Sequence, residues 1–101
     1  MWRLICAVNE IPQPGARTAA SAHGNIAVFR TEDNEVYALL DRCPHKGGPL
    51  SKGQVTGCRV ECPLHEWIIC LDDGNVVESD GDGSVRTFPV RIENGSVFID
   101  D

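Results

Sequence analysis

Apolar positions in this chain come in short runs rather than at helical spacing. No long window repeats apolar residues at i, i+3, i+4 and i+7, so helices are not expected. Runs of strand length recur throughout. Trp2 to Cys6 is a short, mostly apolar run and reads as the first strand. Glu10-Ile11-Pro12-Gln13-Pro14-Gly15 breaks it, with room for one helical turn around Val8 to Ile11. Ala16 to Ala22 is weakly patterned and suits an edge strand. His23-Gly24-Asn25 then signals a turn. Ile26 to Arg30 and Val36 to Leu40 read as strands on either side of the polar turn Glu32-Asp33-Asn34-Glu35.

The pattern continues beyond residue 50. Ser51-Lys52-Gly53 and Gln54-Val55-Thr56-Gly57 follow Leu50 with no element assigned, and Arg59-Val60-Glu61 reads as a short strand. Trp67 to Leu71 is a strand ended by the hairpin-type turn Asp72-Asp73-Gly74, and Val76-Val77 resumes pairing. Ser79 to Ser84 is a loop. Val85 to Phe88 and Val90 to Glu93 are strands interrupted at Pro89, which suits an edge or a bulge. Asn94-Gly95 marks a tight hairpin, and Ser96 to Ile99 closes the chain. About nine or ten short strands with turns every few residues predict an all-β sandwich or barrel.

At 101 residues the chain is expected to form a single domain, 1–101, burying roughly two-thirds of its unfolded surface. Apolar content of 42% and charged content of 24% are ordinary for a globular protein. The net charge of −6 argues against nucleic acid as a partner. That charge is unevenly placed. Residues 71–101 hold eight acidic against two basic groups, whereas residues 41–70 hold three against four, with Arg42, Lys46 and Lys52 among them. The acidic run reads as solvated surface. No stretch approaches a membrane span, and no signal-peptide core of adequate length follows Met1. The five cysteines form no disulfide framework, which points to a reducing cytoplasm.

The chemistry lies between Cys43 and His65. Cys43-Pro44-His45 and Cys62-Pro63-Leu64-His65 are two mixed thiolate–imidazole pairs separated by sixteen residues, Lys46 to Glu61. Two Cys and two His can hold one tetrahedral zinc, but zinc sites usually draw their ligands as C-x2–4-C and H-x3–5-H. A mixed pair suits two metals side by side, each loop giving one ligand to each iron. Gly47, Gly48 and Pro49 would let the backbone wrap closely around a bound group. Cys6, Cys58 and Cys70 remain; Cys58 and Cys70 lie outside the loops and read as free thiols packed as small hydrophobes. His23 reads as a surface turn histidine.

The run C-P-H-K-G-G-P-L followed by C-P-L-H resembles the two cluster-binding loops of Rieske proteins. The resemblance implies a [2Fe–2S] cluster with Cys43 and Cys62 on one iron and His45 and His65 on the other. It also implies a two-part build, a small β subdomain at 41–71 inserted into a base made of 1–40 and 72–101. High-potential Rieske proteins place Ser and Tyr after the second histidine and carry an extra disulfide-bonded Cys in each loop. Here Glu66, Trp67 and Ile68 follow His65, and neither Gly47 nor Leu64 is Cys, so a ferredoxin-like protein near the low end of the family's potential window is expected.

Beyond the motif, H-x-W-x-I-x-L-x-x-G looks most like the small subunit of cytoplasmic NAD(P)H-dependent nitrite reductase. That resemblance implies a non-catalytic electron-transfer role beside a large flavin and sirohaem subunit. No G-x-G-x-x-G motif for a dinucleotide is present. The alternative is a ferredoxin shuttling between a reductase and an aromatic-ring-hydroxylating dioxygenase. A structural subunit with zinc or no metal is a third possibility.

Overall fold

A computed structural model describes residues 1–44, 47–64, 66–78 and 83–101, with Glu78 described by its backbone only. His45, Lys46 and His65 lie outside the described residues, as does most of the expected loop at 79–84. The architecture is all-β, as the strand pattern predicts. Eleven strands are described: β1 Trp2–Ala7, β2 Gly15–Ala19, β3 Ile26–Arg30, β4 Val36–Leu40, β5 Gln54–Thr56, β6 Arg59–Glu61, β7 Ile68–Cys70, β8 Val76–Glu78, β9 Thr87–Phe88, β10 Val90–Glu93 and β11 Ser96–Asp100. Two 3-10 turns, Val8–Glu10 and Leu50–Lys52, are the helical pieces among the described residues.

The strands form three antiparallel sheets, ordered β1-β11-β10, β2-β3-β4-β9 and β5-β6-β7-β8. Strand β3 is the hinge of the packing. Its alternate residues serve two cores, since neighbouring side chains of a strand point to opposite faces. Ile26 and Val28 join Cys6, Ile11, Ala38, Phe88, Val97 and Ile99 in one core. Ala27 and Phe29 face the other way, onto Leu39, Leu50, Val60, Ile69, Leu71 and both Cys43 and Cys62. Burial on both faces explains why Ile26 to Phe29 is an unbroken apolar run. Among the described residues strand β2 pairs with β3 alone, which makes it the expected edge.

Two findings go beyond the sequence pattern or correct it. Gln54–Thr56, to which the pattern assigns no element, is a strand pairing with β6 across the Gly57-Cys58 turn. Its pattern offers only Val55 to the core, and the ladder to β6 supplies the rest. Cys58 sits in that turn and is exposed, so it is not a packed thiol. Cys70 is half-buried, and Cys6 is buried beside Val97 and Ile99, where loss of hydration pushes its thiol pKa up. None of the five cysteines is in a disulfide.

The chain ends are tied to each other. β1 pairs with β11, Arg3 Nη2 lies 2.6 Å from Asp101 Oδ2, and the Met1 amino group pairs with Asp100. Arg3 holds the Asp101 carboxyl below the usual range, and the backbone N–H of Asn75 does the same for Asp73 at 2.9 Å. A carboxylate with a lowered folded pKa stabilises the fold above its unfolded pKa, and that contribution disappears as pH falls through the folded value. A variant carrying Asp73→Asn and Asp101→Asn should therefore show a shallower loss of urea midpoint below about pH 4, with a constant offset from wild type above about pH 6. Parallel pH profiles for the two chains would refute this.

Candidate metal centre

Two loops of matching backbone geometry present the two expected thiolate ligands. In the first, the Cys43 N–H donates to the Gly48 carbonyl at 2.8 Å and the Gly47 N–H to the Cys43 carbonyl at 2.9 Å. In the second, the Cys62 N–H donates to the Trp67 carbonyl at 2.8 Å and the Glu66 N–H to the Cys62 carbonyl at 3.1 Å. The offsets from each cysteine are identical, although the motifs differ, C-x-H in one and C-x-x-H in the other. The residue four beyond each cysteine takes a left-handed conformation, with φ of 74° at Gly47 and 58° at Glu66. The two loops are thus near-copies of one turn, which the sequence alone does not show.

Positive φ is natural for glycine and costs an L side chain roughly 1–2 kcal/mol. Glu66 bears that cost at the position where Gly47 avoids it. Substituting Glu66→Val should cost about 1–2 kcal/mol through β-branching at positive φ, while Glu66→Gly should cost nothing or stabilise slightly. Denaturant titration of both variants checks this, and equal losses would contradict it.

The loops are positioned from both sides. β4 delivers the first loop, and Asp41 fastens it. The Asp41 carboxylate accepts from the Ser51 backbone N–H and from the Ser51 hydroxyl, both at 2.7 Å, closing the loop's entrance onto its exit. β6 and β7 hold the second loop at its two ends. The two loops meet at Gly48. A Cβ there would lie 2.7 Å from Leu64 Cδ1 and 3.5 Å from Cys62 Sγ, so only a bare backbone fits between the loops. Leu64 itself is exposed, a large apolar side chain lying over the seam.

The site therefore brings Cys43 and Cys62 together, both 1% exposed, in the same core as Trp67. His45 and His65 lie outside the described residues. Among the described residues no group of three or more Cys, His, Asp or Glu is arranged to hold a metal. The residues that are described fit a two-iron cluster. Both thiols are unoxidised and shielded from water, they come from separate loops, and Gly48 keeps the seam clear. The Gly47 N–H is committed to the Cys43 carbonyl. Asp41, Leu64 and the clearance at Gly48 were not identified from sequence. An Asp and a Ser flanking a Gly-Gly-Pro loop is the one signal that could have suggested the Asp41 clasp.

The Rieske [2Fe–2S] domain family matches residues 1–89. The 3-phenylpropionate/cinnamic acid dioxygenase ferredoxin subunit of Photorhabdus laumondii is 34% identical over 96 residues, covering 94% of this chain and 90% of that protein. The structure of a ferredoxin from Sphingomonas yanoikuyae B1 superposes with a TM-score of 0.88 at 25% identity, covering 100% of this chain and 99% of that one. A structure described as an NADH-dependent nitrite reductase small subunit from Mycobacterium tuberculosis gives 0.87 at 24% identity, covering 98% and 93% of the two chains.

Proposed function

The chain belongs to the Rieske [2Fe–2S] domain family, and from that premise we propose that it is the ferredoxin of an aromatic-ring-hydroxylating dioxygenase system, carrying electrons from a reductase to the oxygenase. Its cofactor is a [2Fe–2S] cluster and its role is electron transfer. The observation that carries the finer reading is the 34% identity to a dioxygenase ferredoxin subunit along nearly the whole length of both chains. The nitrite reductase small subunit, expected from the residues after His65, is the second reading. Its support is likeness of fold at 24% identity. The dioxygenase ferredoxin, held as the alternative at the level of sequence, is the better supported of the two.

In this proposal Cys43 and Cys62 hold one iron, and His45 and His65 hold the other. The cluster supplies a carrier for one electron at a time. The chain's own residues do the rest. Burial of the two cysteines keeps water from the thiolates. The paired turns fix their backbones, so little reorganisation is needed when charge changes. Asp41 and Ser51 stop the first loop from opening. No described hydroxyl follows Cys62 as far as Cys70, so donors that would raise the potential are lacking there. An equilibrium redox titration should give a midpoint below zero, in the lower part of the about −150 to +300 mV window. A midpoint well above zero would rule out this account of the loop.

The proposal is tested on protein purified anaerobically from its native host. EPR of the dithionite-reduced sample should give a rhombic signal of low average g, with two irons and two sulfides per chain. The chain should elute alone at about its 11.0 kDa mass, without sirohaem absorbance. A stable complex with a sirohaem protein would favour the nitrite reductase reading. A colourless protein holding zinc would end both.

A further inference from the structure

Strand β1 borders the sheet β1-β11-β10. The phase of its hydrogen bonds shows what that border offers. The Asp101 N–H donates to the Met1 carbonyl at 3.3 Å, which makes Met1 and Asp101 a hydrogen-bonded pair. In an antiparallel ladder such pairs alternate with pairs whose N–H and C=O groups point away from each other. Arg3 and Ile99 are therefore bonded, while the backbone groups of Trp2 and Leu4 point out of the sheet. The Asp100 N–H, bonded on the far side to the Pro89 carbonyl at 3.1 Å, is in the matching phase. Among the described residues nothing takes the outward groups of Trp2 and Leu4. Their side chains are 39% and 59% exposed, on the face opposite the buried Val97 and Ile99. Leu4 stands across from Phe98, and the Arg91 guanidinium carbon lies 4.4 Å over the Trp2 ring. Open sheet borders are usually blunted by a bulge or a charge. β1 has both, and neither covers this segment. The register shift comes after Leu4. Arg3 is on the other face, where Asp101 at 2.6 Å and the Ala20 carbonyl at 2.9 Å hold its guanidinium.

We infer that β1 is a self-pairing strand, along which a second copy of this chain docks its own β1 antiparallel, with the two-fold axis at Arg3. In that register Trp2 of each copy is opposite Leu4 of the other. Both residues direct their backbone groups outward, so the two pairs exchange four hydrogen bonds and join the sheets into one of six strands. Each indole also lies beside a leucine on one face, a favourable cross-strand pair. A second copy is the occupant because the outward groups are symmetric about Arg3. The same three residues supply donors, acceptors and apolar side chains in the order that they themselves require. Across the axis Arg3 meets its counterpart with its charge already matched by Asp101. Three residues per copy bury far less than the roughly 800 Å² per partner of stable complexes. The dilute chain therefore elutes as the monomer expected above, and pairing belongs to concentrated protein. β1 contributes to the core that lacks Cys43 and Cys62, so pairing leaves both ligand loops free.

The test is sedimentation equilibrium of the full chain from about 10 µM to about 1 mM. The average mass should rise from 11.0 kDa toward twice that value. Leu4→Pro removes an outward N–H that has no partner within the chain, a position where a border strand tolerates proline. It should stay monomeric throughout. Leu4→Lys keeps the donor but loses the apolar pair, and its association should weaken about tenfold. Ile92→Lys removes a comparably exposed apolar side chain from β10, the opposite border, and should change association less than about twofold. Amide exchange on the wild-type chain gives a second reading that needs no variant to fold. Exchange at Trp2 and Leu4 should slow about fivefold or more at the high concentration, and exchange at Ile92 should not change. A mass that stays at 11.0 kDa up to about 1 mM overturns the inference. So does association that Leu4→Pro leaves intact, or protection that appears at Ile92 and not at Trp2 and Leu4.

Discussion

Replacing Cys62 by serine is expected to leave a folded chain that purifies with less than about a tenth of the wild-type iron and sulfide. Cys62 is buried in the core shared with Trp67, Leu50 and Ile69, and Leu64 closes over the seam beside it. The hydroxyl is a poor substitute for a soft thiolate toward iron. The fold should survive, because the Cys62 backbone still donates to Trp67 and accepts from Glu66, and the lost packing is one sulfur atom. Cys43→Ser should behave alike, as the loops are near-copies. Cys58→Ser is the control, since that thiol is exposed in the β5–β6 turn and should leave iron content unchanged. Iron and sulfide assays with circular dichroism on each variant decide the matter. Full iron content in Cys62→Ser would remove Cys62 from the proposed ligand set.

Much of the fold is legible in the sequence, and the exceptions have physical causes. Ile26–Arg30, Val36–Leu40, Arg59–Glu61 and Val90–Glu93 fall where apolar runs and turn residues put them. Gln54–Thr56 does not, because three residues with one apolar side chain carry almost no signal, and pairing with β6 makes the strand. The run Val85 to Phe88 is strand only at Thr87–Phe88. The Arg86 carbonyl accepts from Leu40, continuing the register of the β4–β9 pairs, whereas the Val85 N–H turns away from β4 to the Gly74 carbonyl.

At the site, residue types and spacing disclose the two cysteines. They cannot disclose that a C-x-H and a C-x-x-H loop close with the same hydrogen bonds. Nor can they show that Gly48 is bare because Leu64 lies against it. Those facts depend on two loops meeting in space, and a linear motif contains only one loop at a time.

Gly74→Ala should be among the most damaging single substitutions outside the ligand loops, costing about 3 kcal/mol or more. The sequence marks Asp72-Asp73-Gly74 as a turn, but the structure gives the glycine two further duties. Its φ is 75°, a region that costs an L side chain roughly 1–2 kcal/mol. A Cβ built there would also collide with the Val85 carbonyl oxygen and crowd the Thr87 side chain. Retreat is blocked on both sides, because the Gly74 N–H is bonded to the Cys70 carbonyl and its own carbonyl accepts from Val85, each at 2.8 Å. Relieving the clash therefore means breaking the contact that ties the β7–β8 hairpin to the segment leading into β9. Gly57→Ala is the matched comparison. Gly57 also has a positive φ, 57°, but nothing lies within 4 Å of its Cβ position, so it should lose only the conformational part, about 1–2 kcal/mol. Urea denaturation of both variants separates the two costs. If Gly74→Ala loses no more than Gly57→Ala, the Val85 contact is not what pins the hairpin.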